Sequence, residues 1–174
     1  MEDQYLIRLS KPDEAEHMFR LMRQVWQEMA DKSLFAVDTL SLEWIQKSTT
    51  ETGIGITAWS GENELAGMLI ACFPGMDEEN LGWDIGLPEE QLPYVANMEA
   101  AAVLSAHRGH HLEQRMIAFA EEYLRRHTEV RYFMATISPE NAPSLRSAEH
   151  NGYRAVLTKE KYGGWMRHIM LKEA

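Results

Sequence analysis

A strand that runs into a glycine turn and then directly into a helix constrains this chain more than any other feature. Residues 100–104 form a short apolar run, Arg108 and Gly109 follow in a basic turn, and Leu112, Met116, Phe119, Ala120 and Tyr123 then recur at helical spacing. Such an order leaves the first amides of the helix unpaired and aimed outward, where the helix dipole favours negative charge. Arg108 adds a fixed cation at the mouth of the turn. His110 and His111 add donors that are cationic part of the time. The segment is therefore suited to hold phosphate.

A β-rich run over residues 131–137 comes next, followed by Asn141, a good N-cap, with Pro143 in the first helical turn, where a missing N–H costs nothing. That helix stops at Asn151 and Gly152, and Tyr153 starts a new strand. This order resembles the GCN5-related N-acetyltransferase family, from about Tyr5 to the C-terminus, with the specific motifs confined to residues 103–153. In that family Arg/Gln-x-x-Gly-x-Gly/Ala holds the pyrophosphate of acetyl-CoA. A later Pro-x-Asn-x-x-(Ala/Ser)…Gly-(Phe/Tyr) marks the second half of the cofactor site.

The resemblance implies an α/β (α+β) fold in a single domain spanning residues 1–174. Its centre would be a mixed, mostly antiparallel twisted sheet of six to seven strands, flanked by about four helices. It also implies acetyl-CoA as co-substrate, with no metal. The cofactor contacts carried over are Val103, Arg108, Gly109, His110, His111, Leu112, Glu113, Asn141 and Ser144. His111 and Glu113 stand where the family has small residues. A carboxylate beside a pyrophosphate is accommodated if Glu113 faces solvent in the first helical turn, where the dipole stabilises it.

The chemistry requires a neutral amine to attack a thioester carbonyl. A carboxylate can take the proton from the substrate ammonium, and a backbone amide can meet the developing charge on oxygen. Glu99, an acid in the mostly apolar strand 94–104, is the candidate base; the alternative is a hydrated edge residue. Val103 is the candidate amide. Many family members place a Tyr four residues before the terminal Gly to protonate the leaving thiolate, but here that position is Ala148. Tyr153 is the candidate acid in its place, with Tyr162 and Tyr94 also near predicted strands, and packing is the alternative for each. A thiolate can also leave by taking a proton from water.

A net charge of −10 argues against nucleic acid as a partner and suits a cationic substrate. Asp77, Glu78, Glu79, Asp84, Glu89 and Glu90 lie in one stretch without a basic residue, with Trp83 among them. Carboxylates beside an aromatic face make an ammonium recognition surface, or else a solvated loop whose Trp83 packs on the core. Trp26, Phe35 and Trp44 would line the same cleft from the first two helices, or belong to the core. No membrane span or secretory signal is visible. The lone Cys72 is read as a small buried hydrophobe, and the expected location is cytoplasmic.

Along the chain, strands are expected at residues 5–9, 53–59 and 64–73, the last two joined by a hairpin turn. A helix opens at Pro12 and ends near Asp31, and a second runs from Thr39, with Leu40, to about Thr49. The tail, residues 161–171, reads as a turn and a last strand.

The function expected is acetyl transfer from acetyl-CoA to a primary amine of a small cationic molecule, by direct attack in a ternary complex. The alternatives are a protein or peptide N-acetyltransferase, and an acyl-CoA-binding regulatory module with little turnover. The resemblance also allows a homodimer.

Overall fold

Strand β3 (Leu65–Cys72) is apolar along its whole length and buried at every position, as befits a strand covered on both faces. The computed structural model, which describes residues 4–35, 41–61 and 63–174, places it inside a seven-stranded sheet. The other strands are β1 (Tyr5–Leu9), β2 (Gly53–Ser60), β4 (Val95–Val103), β5 (Tyr132–Ile137), β6 (Arg154–Lys161) and β7 (Trp165–Glu173), in the order β1-β2-β3-β4-β5-β7-β6. Met68, Ile70 and Cys72 join a core with helices α1 (Ala15–Glu28) and α2 (Leu42–Thr50). Ala66, Leu69 and Ala71 join a second core with α3 (Leu112–His127) and α4 (Ala142–His150). The α/β architecture is the one expected.

Two irregularities in β4 prepare the site. Its pairing with β3 matches Ile70 to Ala100 and Ala71 to Met98, so Glu99 is the extra residue of a β-bulge; bulges bend a strand and re-aim its side chains. Its pairing with β5, parallel where every other pairing is antiparallel, covers only Val95–Tyr132, Ala96–Phe133 and Asn97–Met134. Beyond those residues the two strands part.

Element ends differ from expectation for local reasons. The segment opened by Pro12 begins as a 3-10 turn, Pro12–Glu14, and α1 ends at Glu28 rather than near Asp31. Lys32 Nζ donates to the carbonyls of Trp26, Gln27 and Met29, satisfying acceptors that a longer helix would have used. Helix α2 begins at Leu42, where Ser41 Oγ accepts the Trp44 amide at 3.0 Å. The expected start at Thr39 and Leu40 lies outside the described residues. No described helix is long and apolar enough to cross a membrane.

Candidate active site

Past Asn97 the gap between β4 and β5 opens into a cleft of about 2110 Å³. That is larger than ordinary single-ligand pockets, which reach about 1,000 Å³. One arm runs beneath the N-termini of α3 and α4. The other lies between the acidic loop, the β6–β7 turn and the end of α1.

The first arm is an anion cradle. Gly109 and His111 both have left-handed backbones, at φ 85° and 57°. A Cβ on Gly109 would meet nothing within 4 Å, so conformation rather than space requires the glycine. His111 is the N-cap of α3, and the first helical bond runs from the Arg115 amide to the His111 carbonyl. The amides of Leu112, Glu113 and Gln114 are left without helical acceptors. Leu112 is itself buried in the core and so fixes the cradle from below, while Arg108 stands exposed at its mouth.

Glu113 is half-buried rather than free in solvent. Its carboxylate accepts from Ser144 Oγ at 3.1 and 3.4 Å, bridging the first turns of α3 and α4. Burial pushes its pKa up, against the opposing Ser144 hydrogen bond. Asn141 Oδ1 accepts the Ser144 amide and caps α4. With Val103, these residues border the cleft.

The second arm centres on the bulge. Glu99 borders the cleft, and burial raises its pKa, opposed by a hydrogen bond from Asn97 Nδ2 at 3.1 Å. Asn97 is 1% exposed; its amide also donates to the Glu79 carbonyl at 3.0 Å and its Oδ1 accepts the Leu81 amide. One side chain thus joins Glu99 to the acidic loop. Asp77, Glu78 and Glu79 border the cleft, whereas Asp84 is engaged by Lys159 and Lys161 at 2.7 and 2.8 Å. Burial, with Glu99 nearby, pushes the Cys72 thiol up to about 12, so it is neutral and unreactive.

Three side chains expected at the site lie elsewhere. The His110 ring packs on Tyr5, with centroids 5.1 Å apart. Trp26 packs against the core of α1 and α2 beneath Lys32, whose Nζ is 4.8 Å from the ring centre. Trp83 donates through Nε1 to the Asp77 carbonyl at 3.1 Å and is exposed, apart from the residues that border the cleft. Phe35 and Trp44 do border the cleft.

Among the tyrosines, Tyr153 reaches the cleft wall, but its hydroxyl is buried beside Glu121 without a hydrogen-bond partner. Burial drives its pKa far up. Tyr94 sits at the closed end of the strand pair, under Arg131. Tyr162, at the β6–β7 turn, is the tyrosine whose hydroxyl reaches the strand opening, bonded to Thr136 Oγ1 at 2.9 Å. Asn97, Thr136 and Arg167 were not singled out from the sequence. For Asn97 the signal was its place two positions before Glu99; for Arg167 it was the alternation of Trp165, Arg167, Ile169 and Leu171.

A family model described as the acetyltransferase (GNAT) family matches residues 15–153. No curated protein matches the chain in sequence. NAA60 of Arabidopsis thaliana, solved in complex with acetyl-CoA, superposes with a TM-score of 0.74 at 13% identity, covering 97% of this chain and 98% of that one. A ribosomal-protein-alanine N-acetyltransferase from Brucella melitensis gives 0.72 at 17% identity, with 97% and 99% covered. AAC(6')-Ib, solved with ribostamycin and coenzyme A, gives 0.70 at 15% identity, with 98% and 94% covered.

Proposed function

The chain belongs to the acetyltransferase (GNAT) family, and on that premise we propose that it acetylates a primary amine of a small molecule by direct attack while both substrates are bound. Acetyl-CoA, the co-substrate of this enzyme class, supplies an activated thioester carbonyl. The observation that carries the reading is one cleft holding an anion cradle at α3 and a half-buried carboxylate at the β4 bulge.

The amine arrives as an ammonium ion, which Asp77, Glu78 and Glu79 attract at the cleft wall. It must lose a proton before attack. Glu99 is the group placed to take it, and burial moves its pKa towards the working range of a general base. Leu104 N donates to the Ala66 carbonyl, so the preceding amide, that of Val103, points the other way, into the opening. An amide so placed stabilises charge that develops on a carbonyl oxygen. The leaving thiolate takes a proton from water, which the open cleft admits. Arg108 and the free amides of α3 hold the phosphates.

A second reading, an acyl-CoA-binding module with little turnover, is favoured by the Glu113 carboxylate inside the cradle. Glu99→Gln separates the two. For the enzyme, kcat falls about a hundredfold or more, while calorimetry shows acetyl-CoA binding retained. A variant that acetylates amines as fast as the parent would remove Glu99 from the base role.

A further inference from the structure

Arg167 lies on β7 and is 4% exposed. Its Nη1 donates to the Met166 carbonyl at 3.0 Å and its Nη2 to the Ser33 carbonyl, both neutral acceptors. None of the ion pairs among the described residues includes it. Asp31, the carboxylate it feels electrostatically, uses one oxygen on the Ser33 amide and hydroxyl, at 3.0 and 2.6 Å. A buried cation without a carboxylate is costly to keep, and a guanidinium carries more donors than these two bonds use.

The position of Arg167 in the cleft says what would complete it. It borders the cleft beside Trp165 and Tyr162, whose ring centres are 5.4 and 5.9 Å from the guanidinium carbon. The Tyr162 hydroxyl, held by Thr136, feels the Glu99 and Glu79 carboxylates as well as the Arg167 cation. Opposite charges therefore flank one tyrosine, and Glu99 and Arg167 are not paired with each other. Phe35, Trp44 and Trp165 give the same cleft apolar walls, Trp165 directly beside Arg167.

We infer that Arg167 determines acceptor specificity by binding the carboxylate of an amino acid with an apolar side chain, whose amino group is presented to Glu99. The planar fork of a guanidinium matches a carboxylate with two parallel hydrogen bonds, which a point charge does not reproduce. This rests on the acetyltransfer reading of the cleft. It narrows the acceptor from any small amine to one that carries its own anion.

The test uses matched pairs that differ only in the carboxylate, L-phenylalanine against phenethylamine and L-leucine against isoamylamine, with acetyl-CoA and the full chain. The expected wild-type ratio of kcat/KM favours the amino acid by about ten- to a hundredfold, the size of one charge-assisted contact. Arg167→Gln collapses that ratio to within about twofold of unity, and Arg167→Lys leaves an intermediate value. A wild-type ratio near or below unity overturns the inference. So does a ratio that survives in Arg167→Gln while both rates and Tm fall together, because Arg167 would then only pin Ser33. If these four are not turned over while other primary amines are, the inference fails and the acetyltransfer reading stands; if no primary amine is turned over, the enzymatic reading has failed. The inference is then judged by calorimetric titration of the same pairs into CoA-loaded protein, where equal binding by both members sinks it.

Discussion

Glu113 accepts a hydrogen bond from Ser144 in a wall whose other groups, Arg108 and the first amides of α3, favour anions. A carboxylate there competes with a phosphate for the same field, and burial holds its folded pKa above the ordinary value. For a raised carboxyl, the stabilising contribution is present below the unfolded pKa and is lost as pH rises through the folded one. Glu113→Gln should therefore tighten acetyl-CoA binding by roughly tenfold at neutral pH, the effect of removing about 1.4 kcal/mol of like-charge repulsion. It should also flatten the rise in Kd with pH. Equal Kd values for parent and variant from acid to neutral pH would show that Glu113 does not oppose the cofactor. Glu99 stood out in the sequence as an acid in an apolar strand, and the structure sets it at the β4 bulge on the cleft wall, where the proposal gives it the base role. Trp26 packs on the core, the alternative its sequence position left open, and Trp83 bonds to its own loop, since an aromatic side chain announces that it will pack, not against what. Arg167 was visible as a charge within an apolar alternation, but that no ion pair among the described residues includes it is a fact of three dimensions.

The strand–turn–helix and the short capped helix α4 were readable because their signals are local: a left-handed glycine, an N-cap, a stop at Gly152. The cap also ties α4 to the site, since Asn141 holds the amide of Ser144, whose hydroxyl holds Glu113. Asn141→Ala should cost about 1 kcal/mol of stability and weaken acetyl-CoA binding, and Asn141→Ser should restore both. Thermal melts and calorimetry on the three proteins check this; an unchanged Kd in the alanine variant would leave the cap with a purely structural role. The β4 bulge was not legible. Alternation assigns faces within a strand, but an extra residue shows only against the partner's register, and that partner is a separate segment. The end of α1 escaped for a similar reason, being set by Lys32 from outside the helix.

Across the molecule, the acidic loop looked uniformly anionic in sequence, yet Asp84 is neutralised by Lys159, 75 residues away, and by Lys161. Burial would raise its pKa, but those two hydrogen bonds outweigh burial and hold it below the usual range. A lowered carboxyl stabilises above its unfolded pKa, and that contribution disappears as pH falls through the folded value. Asp84→Asn should cost about 1–3 kcal/mol at neutral pH, with Tm falling about 2–4 °C for each kcal/mol in a chain of this size. The deficit should close as the pH drops below the carboxylate range, and a deficit that persists in acid would refute the ion-pair account. The sheet itself is two leaves bound along a short spine: β1 to β4 on one side, β5, β7 and β6 on the other, joined through three residue pairs of β4 and β5. Glu99 belongs to the first leaf, Tyr162 and Arg167 to the second. The angle at which the leaves stand open therefore sets the span between Glu99 and Arg167, and on the roles proposed for these two residues the spine works as a caliper on the length of the acceptor that fits between them.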